Sequence, residues 1–76
     1  MDEIYFENKN IKAYSTETSL CVVENKRPYD IYLVFNVDRP LRENRILANG
    51  SVNVTNEQYV EWIKKGEFQV LRFVIK

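Results

Sequence analysis

Residues 30–37 are the most strongly β-forming run of this sequence, and after Asp30 they are apolar at almost every position. Successive side chains of a strand point to opposite faces. One face of this strand would carry Ile31, Leu33, Phe35 and Val37, and the other Tyr32, Val34 and Asn36. A strand that is apolar on both faces is central in its sheet or covered on both sides. The chain must therefore supply neighbouring strands and a covering layer, or a second copy must cover one face.

The chain has 76 residues, one Cys and no His. A second hydrophobic core would need roughly another 100 residues, so residues 1–76 are predicted to form a single domain. One thiol cannot form an internal disulfide, and a Cys/His zinc site is excluded. Hydrophobic burial therefore has to stabilise this small fold without a covalent or metal cross-link.

Four further segments before residue 31 can be assigned from their patterns. Residues 4–6 and 11–15 flank a polar cluster and predict a hairpin. Residues 19–23 are rich in β-branched side chains and predict a third strand. The polar, Pro-containing residues 24–28 predict a loop before the central strand.

Residues 55–65 carry the signals of a helix with both ends specified. Thr55 is expected to cap the helix, and Gln58 three residues later completes a capping box. Gly66 is expected to end the helix in a left-handed conformation. The apolar stripe of this helix consists of Tyr59, Val60, Trp62 and Ile63.

Residues 68–75 predict a last strand, interrupted by Arg72. Leu71, Phe73 and Ile75 would lie on one of its faces. The C-terminus is therefore expected to belong to the core, and deletion of the last eight residues is expected to unfold the domain.

Residues 38–50 allow two interpretations. In the first, residues 45–48 and 51–55 form a hairpin about Asn49-Gly50, a preferred pair for type I′ turns, with Leu47 opposite Val52. In the second, Asp38 caps a short helix that ends at Gly50. The hairpin is the preferred interpretation. The predicted fold is α+β, a small antiparallel sheet of about five or six strands with the helix 55–65 packed on one face.

Catalytic chemistry finds little support in the sequence. The absence of His removes the commonest general base. Cys21 lies in an apolar run, where it is expected to be a buried structural thiol. Asp30 and Asp38 flank a strand of about 25 Å, too far apart for a glycosidase-type carboxylate pair, and are interpreted as strand-end caps. We therefore expect no enzyme, no catalytic residue, no cofactor and no metal.

One local cluster of cations stands out from a chain whose net charge is zero. The cluster consists of Arg39, Arg42 and Arg45. An earlier loop adds the cations Lys26 and Arg27 and the aromatic residue Tyr29. If these loops share one edge of the sheet, they form a basic rim that could bind an acidic protein surface or single-stranded nucleic acid. The alternative interpretation is an ordinary solvated polar loop. The candidate partner-binding residues are Tyr29, Arg39, Arg42, Arg45 and Arg27.

Aromatic residues make up 13% of the chain, more than a core of this size requires. Tyr5, Tyr14, Tyr29 and Tyr32 are expected to include partly exposed side chains, and Tyr and Arg are enriched at protein interfaces. The leading hypothesis is a small interaction protein that binds and inhibits a host protein. The chain contains more Phe, Tyr, Ile, Asn and Lys than Gly, Ala, Arg and Pro, a bias typical of proteins from AT-rich genomes. This bias favours a phage or mobile-element accessory protein.

Two alternatives come from other classes of protein. The first is a single-stranded nucleic-acid-binding module that uses the Arg cluster. The second is a homodimeric structural or regulatory subunit that covers the two-faced strand 31–37. No apolar run approaches the roughly 20 residues of a membrane span, and no secretion signal is recognisable, so a cytoplasmic location is expected.

Overall fold

Seven short strands and one helix make up the part of the chain that the computed structural model describes, residues 3–35 and 45–72. The elements are β1 (Glu3–Glu7), β2 (Ile11–Ser15), β3 (Val22–Asn25), β4 (Ile31–Phe35), β5 (Arg45–Ile46), β6 (Ser51–Asn53), α1 (Glu57–Lys65) and β7 (Phe68–Arg72). The predicted α+β class is confirmed.

The strands are divided between two antiparallel sheets, where the prediction placed them in one. Within the described ranges, the first sheet has the order β1-β2-β3-β6 and the second the order β5-β4-β7. The chain crosses from the first sheet to the second between β3 and β4, returns between β5 and β6, and crosses a third time through α1 to β7. The first two crossings position the candidate functional site described below.

The predicted N-terminal hairpin is confirmed as β1 and β2, which pair antiparallel with a bulge near Tyr5. The turn between the strands is held by the side chain of Asn8. Its Oδ1 accepts hydrogen bonds from the backbone N–H groups of Asn10 and Ile11 at 2.8 and 3.0 Å. An Asn side chain that bonds to backbone two or three residues later is a common way to build a turn.

The third strand was predicted over residues 19–23 and instead runs from Val22 to Asn25. Ser19 belongs to a turn in which the Thr16 hydroxyl accepts hydrogen bonds from the N–H groups of Thr18 and Ser19. Because this local side-chain bonding competes with strand pairing, β3 starts later than its β-branched pattern indicates. Residue 25, assigned to a loop by its polarity, is the buried last residue of the strand.

The strand predicted to be central is central. Strand β4 lies between β5 and β7 in the second sheet, and Ile31, Leu33 and Phe35 are all at most 3% exposed. Tyr32 and Val34 on its other face are half-buried. Residues 36 and 37, which the prediction included in this strand, lie outside the described residues.

The predicted hairpin about Asn49-Gly50 is wrong, because β5 pairs with β4 while β6 pairs with β3. Val52 therefore lies opposite Val23 and not opposite Leu47. The N–H of Gly50 donates to the Leu47 carbonyl at 2.8 Å. Of Asn49 and Gly50, Asn49 alone has a positive φ, 55°, whereas a type I′ turn needs a positive φ at both residues. The turn instead carries the chain from β5 in the second sheet to β6 in the first. The alternative helix ending at Gly50 is also wrong over residues 45–50.

The predicted helix is confirmed, with its start shifted. It begins at Glu57, and its N-cap is Asn56 instead of Thr55. The Asn56 side chain accepts hydrogen bonds from the N–H groups of Gln58 and Tyr59 at 2.9 and 3.2 Å. Asn is at least as good a cap as Thr, which explains why the neighbouring residue takes this role. Gly66 ends the helix as predicted, with φ 74°.

One core cluster joins both sheets to the helix. Its buried members are Ile11, Ala13, Cys21, Val23, Ile31, Leu33, Phe35, Ile46, Val60 and Ile63. Tyr59 and Trp62, from the predicted apolar stripe of the helix, are half-buried. Tyr59 stacks on Phe35 at a centroid distance of 4.5 Å, and Trp62 packs against Phe35 at 5.8 Å with its ring tilted by 31°. Phe6 of β1 meets Phe68 of β7 edge-on at 5.0 Å and so ties the first sheet to the second. Phe73 and Ile75, predicted as core residues, lie outside the described residues.

Candidate interaction surface

The β3–β4 and β5–β6 crossings lie side by side. We call this region the inter-sheet junction; it comprises residues 25–30 and 45–50. The N–H of Asn49 donates to the Arg27 carbonyl at 3.1 Å, and the N–H of Asn25 donates to the Gly50 carbonyl at 2.8 Å. The two backbone segments are therefore held together by hydrogen bonds that neither sheet contains.

Asn25 is the central polar residue of the inter-sheet junction, and it is only 2% exposed. Its Nδ2 lies 2.8, 3.2 and 3.1 Å from the carbonyl oxygens of Tyr29, Ile46 and Leu47. Its Oδ1 accepts a hydrogen bond from the N–H of Arg27 at 2.9 Å. Buried backbone polar groups need partners, and one side chain supplies them here to both crossings. Asn25 therefore determines the conformation of the loop that carries Tyr29.

The ring of Tyr29 is half-buried against the edge of the core and has two arginines around it. The guanidinium carbon of Arg72 lies 4.2 Å from the ring centroid, and that of Arg27 lies 5.4 Å from it. Arg27 Nε also donates a hydrogen bond to the Tyr29 hydroxyl at 3.1 Å. Both distances are within the range of cation–π attraction. The ring therefore holds two cations close together at the surface.

Arg72 was not predicted as part of this site. It lies opposite Ile31 in the β4–β7 pairing, at the end of the row formed by Phe68 and Val70. The sequence did contain a signal for Arg72, because it occupies the same face of the strand as Phe68 and Val70. A charged residue at the end of such an apolar row marks the point where the row leaves the core and reaches solvent. Asn25 left no comparable signal in the sequence, because two of its partners are 21 and 22 residues away.

Asp30 and Arg45 form an ion pair beside Tyr29. Arg45 Nη2 lies 2.7 Å from Asp30 Oδ2, and Asp30 Oδ1 accepts a hydrogen bond from the N–H of Ala48 at 2.9 Å. The hydrogen bond from Arg45, and next that from Ala48, lower the pKa of the Asp30 carboxyl below its usual value. The predicted role of Asp30 at the end of its strand therefore includes fixing the return crossing. We define the Tyr29 cluster as Arg27, Tyr29 and Arg72; the Asp30–Arg45 pair follows it directly in the chain.

The lowered pKa of Asp30 predicts a pH-dependent contribution to stability. A carboxyl whose pKa is lower in the folded state stabilises the fold above its unfolded pKa, about 3.9, and this contribution is lost as pH falls through the folded pKa. The free energy of unfolding of the wild-type protein should therefore exceed that of the Asp30→Asn variant by a constant amount near neutral pH. This difference should shrink in acid. Urea unfolding at a series of pH values measures it, with exposed Glu17→Gln as control. A difference that persists unchanged below the folded pKa would contradict the assigned role.

The predicted basic rim is realised only in part. Arg27 and Tyr29 lie in contact, whereas Arg45 is paired with Asp30 and lies opposite Tyr32, on the other face of the second sheet from Arg72. Lys26 turns the other way, with its Nζ 3.3 Å from Glu7 Oε2 and 2.8 Å from the Asn8 carbonyl. Arg39 and Arg42 lie outside the described residues. Because Arg45 and Lys26 each pair with a carboxylate, the cationic character of this region is concentrated on Arg27 and Arg72.

An exposed apolar residue adjoins the Tyr29 cluster. Leu47 is 61% exposed, and its carbonyl shares the Asn25 donor group with the carbonyl of Tyr29. An apolar side chain beside Tyr and Arg is a typical composition for a protein-binding surface. Ile4 of β1, which is 56% exposed, lies in the first sheet and offers a comparison.

The other candidate groups do not form a second site of this kind. Cys21 is buried as predicted, and burial raises the pKa of its thiol, with a smaller opposing effect of Lys64. A cavity of about 140 Å³ between β4 and the start of α1 is well below the several hundred Å³ typical of small-molecule sites. A second cavity, of about 470 Å³, lies where the end of β4 meets the start of β7 and is wide open to solvent. Among the residues that the structure describes, no three His, Cys, Asp or Glu side chains gather as metal ligands.

No family model matches the chain. Curated proteins and solved structures likewise include no significant match. Within the described ranges, no helix has the length and apolar character required to cross a membrane.

Proposed function

We propose that this chain is a small protein-binding module that acts by contact and not by catalysis, and that the Tyr29 cluster with Leu47 is its contact surface. The observation that carries the proposal is the Tyr29 ring, which has two arginine guanidinium groups within 5.4 Å of its centroid and the exposed Leu47 nearby. Tyr and Arg are the residues that most often contribute strongly to protein–protein affinity. The composition supports the further proposal that the chain is a phage or mobile-element accessory protein that inhibits its host partner.

The rigidity of the surface supports a binding role. Asn25 fixes the backbone of the Tyr29 loop through buried hydrogen bonds, and Arg27 is held by the Tyr29 hydroxyl. A surface whose side chains are already positioned loses less conformational entropy when it binds. This arrangement favours recognition of a folded partner or a defined segment over adaptive, nonspecific contact.

Nucleic-acid binding is the second candidate, and the geometry favours it less. Single-stranded nucleic acid is bound by a track of cations with aromatic rings free to stack on bases. In the described part of the chain, Lys26 and Arg45 are paired with carboxylates, and the Tyr29 ring is occupied by arginines. The net charge of zero adds no long-range attraction to phosphate.

Affinity capture tests the proposed function. Immobilised wild-type chain is expected to retain a discrete protein from a nuclease-treated lysate of a low-GC bacterium, and Tyr29→Ala/Arg72→Ala is expected to retain about tenfold less. The matched control is Lys12→Ala/Tyr14→Ala, which removes a cation–aromatic pair of 5.5 Å from the first sheet. Equal retention by the wild type and the cluster variant, or retention of nucleic acid alone without nuclease, would contradict the proposal.

A further inference from the structure

Resting on the proposed function, we infer that the partner presents carboxylates to Arg27 and Arg72, so that the bound element is an acidic protein segment. The two guanidinium groups are the feature of the Tyr29 cluster that specifies this chemistry. Their carbons lie at most about 9.6 Å apart, the sum of their distances to the same ring centroid. Two like charges within that distance repel, and a carboxylate bound by both relieves the repulsion.

Both guanidinium groups keep donors available for a ligand. Arg27 uses Nε for the Tyr29 hydroxyl, a bond that does not occupy its terminal N–H groups. The guanidinium carbon of Arg72 lies 4.2 Å from the Tyr29 ring centroid. Over residues 3–35 and 45–72, neither arginine has a carboxylate within ion-pair distance. Terminal guanidinium N–H groups match the two oxygens of a carboxylate and bind it bidentately.

The surroundings favour a carboxylate-bearing segment over a longer polyanion. In the described part of the chain Arg45 is neutralised by Asp30 and Lys26 by Glu7, which leaves two neighbouring cations, Arg27 and Arg72, at the Tyr29 cluster. A nucleic-acid backbone needs a longer track of cations, whereas a short segment can place one or two carboxylates on these two groups. Leu47, 61% exposed beside the Tyr29 loop, would contact an apolar side chain of the same segment.

Defined probes test the inference without knowledge of the natural partner. The first is a fluorescein-labelled decapeptide of Glu with a central Leu, the second has Gln in place of every Glu, and the third is a labelled oligothymidylate of similar length. Fluorescence anisotropy is expected to show the Glu peptide binding at least about tenfold more tightly than the Gln peptide. Tighter binding of the oligothymidylate than of the Glu peptide would overturn the inference in favour of phosphate.

Variants locate the binding on the molecule. Arg27→Ala/Arg72→Ala is expected to weaken binding of the Glu peptide by about tenfold or more. Lys9→Ala/Lys65→Ala is the matched control, since it removes two exposed cations elsewhere. Its net charge equals that of the Arg27→Ala/Arg72→Ala variant. Arg27→Glu/Arg72→Glu should reverse the preference and bind a matching Lys peptide. Equal losses in the Arg and Lys variants would show a diffuse charge effect and overturn the assignment.

The outcomes separate this inference from the proposed function. If affinity capture depends on Tyr29 and Arg72 while the Glu and Gln peptides bind equally, the surface binds protein but the acidic-segment inference is wrong. If the Glu peptide binds at Arg27 and Arg72 while captured protein is insensitive to the Tyr29 cluster, the carboxylate site is correct and the proposed function is wrong. Circular dichroism of each variant establishes that it is folded.

Discussion

Asn25→Ala is expected to destabilise the protein by about 3–5 kcal/mol, because it leaves several buried backbone groups without partners. The substitution removes the donors to the carbonyls of Tyr29, Ile46 and Leu47 and the acceptor for the N–H of Arg27. A chain of this length has a total stability of roughly 4–11 kcal/mol. The loss would therefore consume most of the available stability.

Urea unfolding followed by the fluorescence of Trp62, the chain's only tryptophan, measures this effect. Asn53→Ala, at an exposed position of β6, is the control and should change stability by less than about 0.5 kcal/mol. If Asn25→Ala were no more destabilising than the control, water or backbone movement would be satisfying the freed groups, and Asn25 would not organise the inter-sheet junction.

A chain ending at Phe68 is expected not to fold. It lacks four of the five residue pairs between β7 and β4, which leaves Ile31 and Leu33 without their cross-strand neighbours. Exposing both core residues costs about 3–6 kcal/mol in hydrophobic burial, before the lost strand hydrogen bonds are counted. Circular dichroism and amide dispersion in NMR spectra should show an unfolded chain.

A chain ending at Arg72 is the informative comparison, because it keeps all five pairs and the contact of Arg72 with Tyr29. The sequence predicts that Phe73 and Ile75 also belong to the core. If the chain ending at Arg72 unfolds cooperatively with wild-type stability, that prediction is contradicted. Cooperative unfolding of the chain ending at Phe68 would contradict the importance assigned to β7.

The features predicted correctly from the sequence are those determined by neighbouring residues. The N-terminal hairpin, the burial of alternate residues in β4 and the left-handed end of the helix at Gly66 all depend on patterns within a few positions. Such local preferences act in the same direction as the final fold, so they can be recognised without knowing the tertiary structure.

The errors arose where distant contacts override local preference. Asn49-Gly50 matches a hairpin turn, yet Ile46 gains more from burial beside Ile31 than from pairing with β6. Asn25 resembles a loop residue and is instead buried between two crossings of the chain. The same applies to the candidate site, where Arg27, Tyr29 and Arg45 could be named from the sequence but their arrangement with Arg72 could not.

Photo-cross-linking tests the central claim most directly, namely that the Tyr29 cluster is a protein-binding surface. A photoreactive phenylalanine analogue is placed at Leu47, beside the Tyr29 cluster, or at Ile4, a similarly exposed position in the first sheet. On irradiation in a low-GC bacterial lysate, we expect the Leu47 position to form an adduct with a discrete protein and the Ile4 position to form none. Adding Arg27→Ala/Arg72→Ala should abolish the adduct. Equal cross-linking from both positions, cross-linking to nucleic acid alone, or no adduct at Leu47 would contradict the claim.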